Sequence, residues 1–227
     1  MSMPFYVAPE QVMKDRAEYA QKGIARGRSL VATLYDRGIL LVAENPSSSL
    51  HKISEIYDRI AFAGVGKFNE YDQLRVAGVR HADTKGYAFS RQDVDARSLA
   101  NLYAQFLGNV FTHDLKPMEV EILVAELPDG RGTPQLFRIA YEGTITDEVD
   151  YAVLGGDADA IRLRFAEGAR TDWSLGEALR QAVSALAGPD RVASNAADLE
   201  VAVLADVGVR RTFRRLDDEE VARLLEG

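Results

Sequence analysis

Cysteine is absent from this chain of 227 residues, and its absence excludes disulfides, thiolate metal sites and cysteine nucleophiles. Apolar runs long enough to cross a membrane are also lacking, and the N-terminal region has no apolar segment typical of a signal peptide. Basic residues are outnumbered, and the formal net charge of -8 argues against nucleic acid, because phosphate binding needs a basic face. We therefore expect a soluble, cytoplasmic protein with neither a nucleic-acid nor a membrane partner.

Histidine is scarce, and the common motifs of cofactor and catalytic sites are missing. His51, His81 and His113 lie far apart, with no partner at metal-ligand spacing. Gly155-Gly156 lies between a predicted strand and a predicted helix, but it lacks the GxGxxG and GxxxxGK(S/T) patterns, and acidic residues follow it. GxSxG and HExxH do not occur. We expect no metal and no cofactor, and we expect the glycine pair to form a strand-to-helix turn rather than a phosphate cradle.

Hydrophobic residues make up 47% of the chain and charged residues 27%, which suits one good core in one α/β domain or two small ones. An apolar tail over 1–8 precedes a helix over 9–26, in which Pro9 suits the first turn. Further helices are predicted over 67–81, 90–111, 157–168, 174–186 and 217–227, and strands over 29–35, 39–45, 53–58, 60–66, 119–127, 134–143, 151–156, 198–206 and 210–216. Blocks of strands separated by helix pairs predict two stacked antiparallel sheets with helices outside, a four-layer αββα sandwich over 29–227.

Some local features give sharper expectations. One face of the first helix is expected to be buried, and its residues are Met13, Ala17, Ala20 and Ile24. Charged residues of that helix, such as Arg16, should remain in solvent. Capping boxes are expected to begin the third helix at Ser90 to Asp93 and the fifth at Ser174 to Glu177. The basic run over 210–216 is expected on a solvated edge strand or at an interface.

Three stretches resemble one known family. They are PEQVMKDRAEYAQKGIARGRS, LLVAENPSSSLHKISEIYDRIAFAGVGKFNEYDQLR, and LEVAVL followed by RRTFRR. On these residues the chain resembles proteasome subunits over essentially its full length, in particular the α-type subunits of actinobacterial core particles. The resemblance implies the N-terminal-nucleophile hydrolase fold, which is an αββα sandwich, and four stacked heptameric rings. The α rings would lie outside and the β rings inside, with proteolysis confined to the β rings.

The start of the first strand decides whether the family's chemistry is kept. In β-type subunits, removal of a propeptide exposes a threonine there, and its own amine and a lysine assist its attack. Matching the hairpins places Arg28 at the threonine position, Glu44 at the acidic position and Lys52 at the lysine position. Ser29 is expected on the opposite face of the strand, and Ser2 lies a whole helix away from Lys52. The resemblance therefore implies no catalytic residue in this chain.

The resemblance also implies two binding roles. The N-terminal tails of α-type subunits close the axial pore, and the matching gate residues are Ser2, Met3, Pro4, Phe5, Tyr6, Val7 and Ala8. The lysine at the position of Lys52 pairs with the terminal carboxylate of an activator's docking tail, in a groove between neighbouring subunits. Pro9, Glu18 and Gly27 match positions of the adjoining turn and pocket wall. Residues 8–12, Ala-Pro-Glu-Gln-Val, replace the Ser-Pro-x-Gly-Arg run of archaeal and eukaryotic α subunits.

The implied partners are neighbouring α subunits in a heptameric ring, proteasome β subunits, a ring ATPase that delivers proteins tagged with the small protein Pup, and unfolded substrates in transit. Two other hypotheses stay open. A self-processing N-terminal-nucleophile peptidase would lose all residues before Arg28 or Ser29, which a measurement of intact mass would show. An unrelated nucleotide-binding α/β protein would be stabilised against heat by nucleotide.

Overall fold

The computed structural model describes residues 8–130, 132–189 and 194–227. The helices of these residues are α1 (Pro9–Ala25), α2 (Phe68–Ala88), α3 (Ala96–His113), α4 (Ala158–Ala166), α5 (Leu175–Ala187) and α6 (Asp218–Glu226), with short 3-10 turns at Arg91–Asp93 and Ala196–Asp198. The strands are β1 (Leu30–Tyr35), β2 (Gly38–Glu44), β3 (Ile53–Tyr57), β4 (Ile60–Gly66), β5 (Val120–Glu126), β6 (Gln135–Ile139), β7 (Ile145–Glu148), β8 (Tyr151–Leu154), β9 (Leu199–Ala205) and β10 (Phe213–Arg215). No helix in the described ranges has the length and apolar content that crossing a membrane requires.

Two five-stranded sheets form the centre of the fold, in the orders β10-β9-β2-β1-β8 and β3-β4-β5-β6-β7. Neighbouring strands in both sheets pair antiparallel. The hairpin of β1 and β2 pairs Tyr35 with Gly38, so its turn consists of Asp36 and Arg37, and Gly38 begins β2. The predicted αββα sandwich is confirmed.

The alternation of side chains along the strands creates three apolar layers. On β1, Leu30 and Ala32 face the central core between the two sheets. Val31 and Tyr35 belong instead to an outer core, in which the first sheet packs against residues of α4, α5 and α6. A third core joins the second sheet to α2 and α3. Each sheet is therefore covered by apolar side chains on both faces, which accounts for the almost unbroken burial of β2 and β9.

Helix α3 begins later than the sequence predicts. Ser90 accepts a hydrogen bond from Gln92 N at 3.3 Å, but this caps only the 3-10 turn. The N-cap of α3 is Asp95, whose Oδ1 accepts from Ser98 N at 2.8 Å. Val94 is buried in an extended conformation between the two helical segments, so its packing breaks the helix that the pattern implied. The predicted capping box at Ser174 is confirmed at the start of α5.

The predicted exposure of α1 differs from the structure at three positions. Met13 is 39% exposed, Ala17 is only half-buried, and the buried positions of the helix are Ala20, Gly23 and Ile24. Arg16 does not remain in solvent: its Nε donates to Phe111 O at 2.7 Å and its Nη2 to Val110 O at 3.0 Å. Both acceptors are carbonyls of the last turn of α3, where a cation also interacts favourably with the helix dipole. Arg16 thus ties α1 to α3.

Arginines of the basic run over 210–216 lie on or next to the edge strand β10, and each of them has an acidic partner. The ion pairs are Arg210 with Asp58, Arg211 with Glu55, Arg214 with Glu220 and Arg215 with Glu200. The first three arginines are exposed, as a solvated edge predicts, but Arg215 is only half-exposed and its partner is buried. The run is therefore neutralised locally and offers little unpaired positive charge.

Gly78 allows α2 and α3 to approach closely. A Cβ at this position would lie 1.7 Å from Tyr103 Oη, and Tyr103 is buried. We expect Gly78→Ala to destabilise the protein by about 1–3 kcal/mol, because the added methyl overpacks a rigid site despite its better helix propensity. Tyr103→Phe removes the clashing oxygen, which has no hydrogen-bond partner among the described residues. Thermal unfolding of both single variants and of the double variant should show the loss partly reversed in the double variant, since Tyr103 Cζ would still lie 2.9 Å from the added methyl.

Candidate functional site

The turn between α1 and β1 carries the position that matches the family's nucleophile. Gly27 N donates to Ile24 O at 2.9 Å as the helix ends. A Cβ on Gly27 would lie 2.9 Å from Gly66 N, so only glycine allows the turn to pass this close to the end of β4. Arg28 follows and is exposed, immediately before Ser29 and β1. The close approach of Gly27 to β4 therefore fixes where Arg28 stands.

Lys52 and Arg28 lie together, as the matching of hairpins predicts. Lys52 Nζ donates a hydrogen bond of 2.6 Å to the carbonyl oxygen of Arg28. The backbone of Lys52 is held in turn by Gly64, whose N–H donates to Lys52 O at 3.0 Å. The amine therefore stands beside the start of β1, next to the residue that matches the family's catalytic threonine. A guanidinium side chain at that position supplies no nucleophile.

The surroundings of Lys52 lower the pKa of its amine. Burial of the half-exposed side chain lowers the pKa of the Lys52 amine to about 8. The negative charges of Glu200 and Glu44 oppose this shift, and the positive charge of Arg28 adds to it. Glu44 itself is buried at the end of β2, where Ser194 Oγ donates to its Oε1 at 3.3 Å. The lysine is thus a cation whose pKa lies unusually close to neutral pH.

Ser29 is a buried residue and does not take the place of the nucleophile. It precedes Leu30 on β1, so strand alternation groups it with Val31 of the outer core rather than with the central core. Gly155 packs directly on it, since a Cβ there would lie 2.7 Å from Ser29 Oγ. The side chain is therefore enclosed on the side of the β8–α4 turn, away from the approach to Lys52.

The remaining residues predicted for activator docking are spread along α1. Glu18 lies on an exposed face, 3.9 Å from Lys22 Nζ. At 1.5 Å per residue, Glu18 stands about 10 Å and Pro9 about 24 Å along the helix from its C-terminal end. One copy of the chain therefore brings together Gly27, Arg28 and Lys52, but not Pro9 or Glu18. A pocket that includes all of them needs a neighbouring copy and stays a prediction.

The predicted gate residues fall almost entirely outside the described residues, which begin at Ala8. Ala8 is the N-cap of α1, and its carbonyl accepts hydrogen bonds from Gln11 N at 2.9 Å and Val12 N at 3.2 Å. The carbonyl of Ala8 thus satisfies backbone N–H groups of the first helical turn. The gate role of residues 2–8 stays a prediction.

Sequence reasoning missed Glu200, a buried carboxylate on β9 beside Lys52. Its Oε2 accepts from Lys52 N at 2.8 Å and from Asn45 Nδ2 at 2.7 Å. The signal in the sequence is a single acid inside the apolar run LEVAVLA, because a buried charge needs specific partners. Those partners come from distant parts of the chain, so the signal alone does not identify them.

The glycine pair Gly155-Gly156 forms the turn from β8 to α4, as predicted. Gly155 has a φ of 118°, and its N–H donates to Glu121 Oε2 at 3.0 Å. A Cβ on Gly156 would lie 2.5 Å from Ala25 Cα, so the backbone of α1 fills the space in front of this turn. A carboxylate and a helix therefore occupy the place where a phosphate would bind. Among the residues that the structure covers, no cluster of histidine and acidic side chains has the arrangement of a metal site.

These features define a class: an N-terminal-nucleophile sandwich in which arginine stands at the nucleophile position. The proteasome subunit family matches residues 24–204 of the chain. The chain is 64% identical to the proteasome subunit alpha of Acidimicrobium ferrooxidans over 225 residues, covering 99% of this chain and 97% of the relative. It is 56% identical to that of Sanguibacter keddieii over 220 residues, or 95% of this chain and 86% of the relative. For Thermobifida fusca the identity is 52% over 228 residues, or 100% of this chain and 92% of the relative.

The chain therefore belongs to the proteasome subunit family, within its group of actinobacterial α-type subunits. It is a non-catalytic subunit of a proteasome complex.

Proposed function

We propose that this chain forms the outer heptameric rings of a proteasome core particle, in which threonine-type endopeptidase activity resides in the inner β rings. The observation that carries this proposal is the exposed Arg28 at the start of β1, with the Lys52 amine bonded to its carbonyl. The lysine and acidic positions of the family's active site are occupied, but a guanidinium stands at the position of the group that would attack the peptide bond. Such a subunit acts on substrates only by controlling their access to other chains.

The same site supports a role in docking a ring ATPase that delivers Pup-tagged proteins. Lys52 is partly buried and hydrogen-bonds through Nζ to a backbone carbonyl, which holds its ammonium in a fixed place. A fixed, partly desolvated cation suits the terminal carboxylate of a docking tail. Glu18, Pro9 and Gly27 complete the pocket in this proposal, with Glu18 and Pro9 supplied by the neighbouring subunit.

Control of access is assigned to residues 2–8. This segment is apolar for a chain terminus, with Met3, Phe5, Tyr6 and Val7 among its residues. It leads directly into α1, so in a ring of identical subunits copies of the tail would meet near the axis. Apolar tails that meet around an axis would associate and close it.

Expression with and without the cognate β subunit tests the proposal. The purified chain should hydrolyse no peptide and should keep its full intact mass, whereas the mixture should give a large particle with peptidase activity. Size-exclusion chromatography, intact mass and turnover of a fluorogenic peptide measure these outcomes. Loss of the residues before Arg28 or Ser29, together with peptidase activity of the chain alone, would instead establish a self-processing peptidase.

Docking through Lys52 should depend on pH. The pKa of the free amine is about 8, and a bound carboxylate raises it, so docking takes up protons. Affinity is then fully present below the free pKa. It falls by up to about tenfold per pH unit as pH rises from about 8 towards the pKa of the bound ammonium. The measurement is the half-saturating ATPase concentration between about pH 7 and about pH 9.

Lys52→Arg is the matched control for this pH dependence, because the guanidinium stays charged over the whole range. Dividing the half-saturating ATPase concentration of the wild-type particle by that of the Lys52→Arg particle removes the pH dependence of the ATPase itself. This quotient should increase as pH rises, because only the wild-type particle loses its charge. A constant quotient would contradict ammonium-dependent docking.

A further inference from the structure

We propose that Glu200 is the positioning residue of the docking site, and that its buried carboxylate holds the segment that presents Lys52. This inference rests on the docking role proposed above. It assigns a function to a strand residue that does not itself touch an activator. Glu200 lies on β9 in the first sheet, whereas Lys52 precedes β3 in the second sheet. The carboxylate therefore acts across the junction between the two sheets.

The segment to be held is the docking loop, residues 45–52, which connects β2 to β3. One end is fixed by Asn45, whose Nδ2 donates to Leu50 O at 2.6 Å and to Glu200 Oε2 at 2.7 Å. At the other end, Lys52 N donates to the same Oε2 at 2.8 Å. One carboxylate oxygen thus closes the docking loop on itself.

The second oxygen of Glu200 joins the start of β3 to the edge strand β10. Oε1 accepts hydrogen bonds from Ile53 N at 3.1 Å and from Arg215 Nη1. Arg215 also donates through Nη2 to Ile53 O at 2.6 Å. The N–H of Ile53 is therefore bonded to Glu200 and its carbonyl to Arg215. His51 Nδ1 lies 3.5 Å from Oε1 and adds an ion pair when its imidazole is protonated.

The consequence for Lys52 follows from these two anchors. Its backbone N–H is fixed by Glu200 and its side-chain amine by Arg28 O, so both ends of the side chain have set positions. Without the carboxylate, the N–H groups of Lys52 and Ile53 lose their acceptor, and the loop must rearrange to satisfy them. A shift of about 1 Å is enough to misalign a directional charge-assisted contact.

Glu200→Gln in the assembled α/β particle is the direct test. The glutamine amide has the same shape, but its NH₂ group replaces one of the two accepting oxygens. The N–H groups that donated to that oxygen then face another donor and lose their hydrogen bonds. Titration with the purified ring ATPase of the same organism should show a half-saturating concentration at least tenfold higher, with the maximal rate of tagged-protein degradation retained. Hydrolysis of short peptides should not change. An unchanged half-saturating concentration would overturn the proposal.

Glu148→Gln is the matched control for loss of a mostly buried carboxylate. Glu148 Oε1 accepts from Arg138 at 2.8 Å and from Arg162 at 3.3 Å. It lies on β7, at the opposite edge of the sheet that begins with β3, about 19 Å away at the usual strand spacing. Its variant should lose thermal stability without weakening docking. An equal loss of docking in both variants would mean that Glu200 only supports the fold, and the proposal would be wrong.

A titration of Lys52 in the particle without ATPase reports whether the docking loop keeps its position. Burial is the largest cause of the lowered pKa of this amine, and the charges that act on it are Glu200, Glu44 and Arg28. If Glu200→Gln releases the loop, Lys52 becomes more exposed and its pKa should rise towards the usual lysine value, as followed by NMR of isotopically methylated lysine, whereas Glu148→Gln should leave the pKa unchanged. A pKa that falls further would mean that only the charge of Glu200 is lost while the loop stays in place, and the positioning role would be wrong.

The failure of the docking role itself would be seen in a different variant. If Lys52→Ala also left docking intact, the docking role would be wrong. If only Glu200→Gln did so, the positioning role alone would be wrong.

Discussion

Replacing Lys52 with alanine is expected to abolish ATPase-dependent degradation of folded, tagged proteins, while basal hydrolysis of short peptides stays near normal. Removing one partner of a desolvated ion pair costs about 2–5 kcal/mol, which lowers affinity tens to thousands of times. The change lies outside the β subunits and outside residues 2–8, to which the proposed function assigns catalysis and gating. Particle assembly, peptide turnover and ATPase-dependent protein turnover, measured on one preparation, separate these effects.

Lys52→Arg is the sharper variant, because charge survives while the shape of the cation changes. The Lys52 ammonium is positioned by a hydrogen bond to Arg28 O, and the larger planar guanidinium does not reproduce that position. We therefore expect partial rescue at most. Lys67→Ala is a control: this lysine lies next to a strand, as Lys52 does, is more exposed, and pairs with Glu70 at 3.4 Å. It should leave docking unchanged.

The competing interpretation is that Lys52 is a relic of the β-type catalytic lysine and now only supports the fold. On that view Lys52→Ala lowers the melting temperature or blocks ring assembly. ATPase stimulation of any particle that still forms would then be retained. A retained stimulation would contradict the docking role.

The layer order of the fold could be predicted from the sequence because most of the strands are apolar enough to be recognised from their own residues. The strand that was missed, β7, is Ile-Thr-Asp-Glu, whose side chains are at least partly exposed. It is held by pairing with β6 around a tight turn, in which Gly143 N donates to Ala140 O at 2.9 Å. Its position depends on that partner, and no local alternation of apolar residues reveals it.

Helix α2 runs seven residues beyond its predicted end at His81, to Ala88, for a similar reason. Lys85 Nζ bonds Asp95 Oδ2 at 2.8 Å, which ties the last turns to the start of α3. Gly86, a weak helix former, is tolerated because a Cβ there would lie 2.2 Å from Tyr57 Oη. Contacts with distant residues thus extend a helix that its own sequence would end earlier.

The site could be predicted only in part. Arg28 and Lys52 were found by matching two hairpins, which works because strand pairing fixes register. Glu200 could not be found in this way, since the groups that it binds belong to the docking loop, β3 and β10. A buried acid in a strand indicates that partners exist, and only the fold shows that one of them is the backbone of Lys52.

Deletion of residues 2–7 is expected to raise peptide hydrolysis by the α/β particle several-fold without changing its cleavage preference. In the proposed function the tail controls access, whereas the β subunits control chemistry. The deletion ends before Ala8, the N-cap residue of α1, so that the native start of the helix is kept. Turnover of peptides with different cleavage-site residues measures both rate and preference.

Combining the tail deletion with Lys52→Ala separates access from docking. Short peptides should be hydrolysed as fast by the double variant as by the deletion alone, because an open pore needs no activator. Folded, tagged proteins should still resist degradation, because unfolding requires a docked ATPase. A same-length Gly/Ser replacement of residues 2–7 is the control for composition: it should open the pore as the deletion does if apolar association closes it. An unchanged peptide rate after deletion would mean that another element closes the channel.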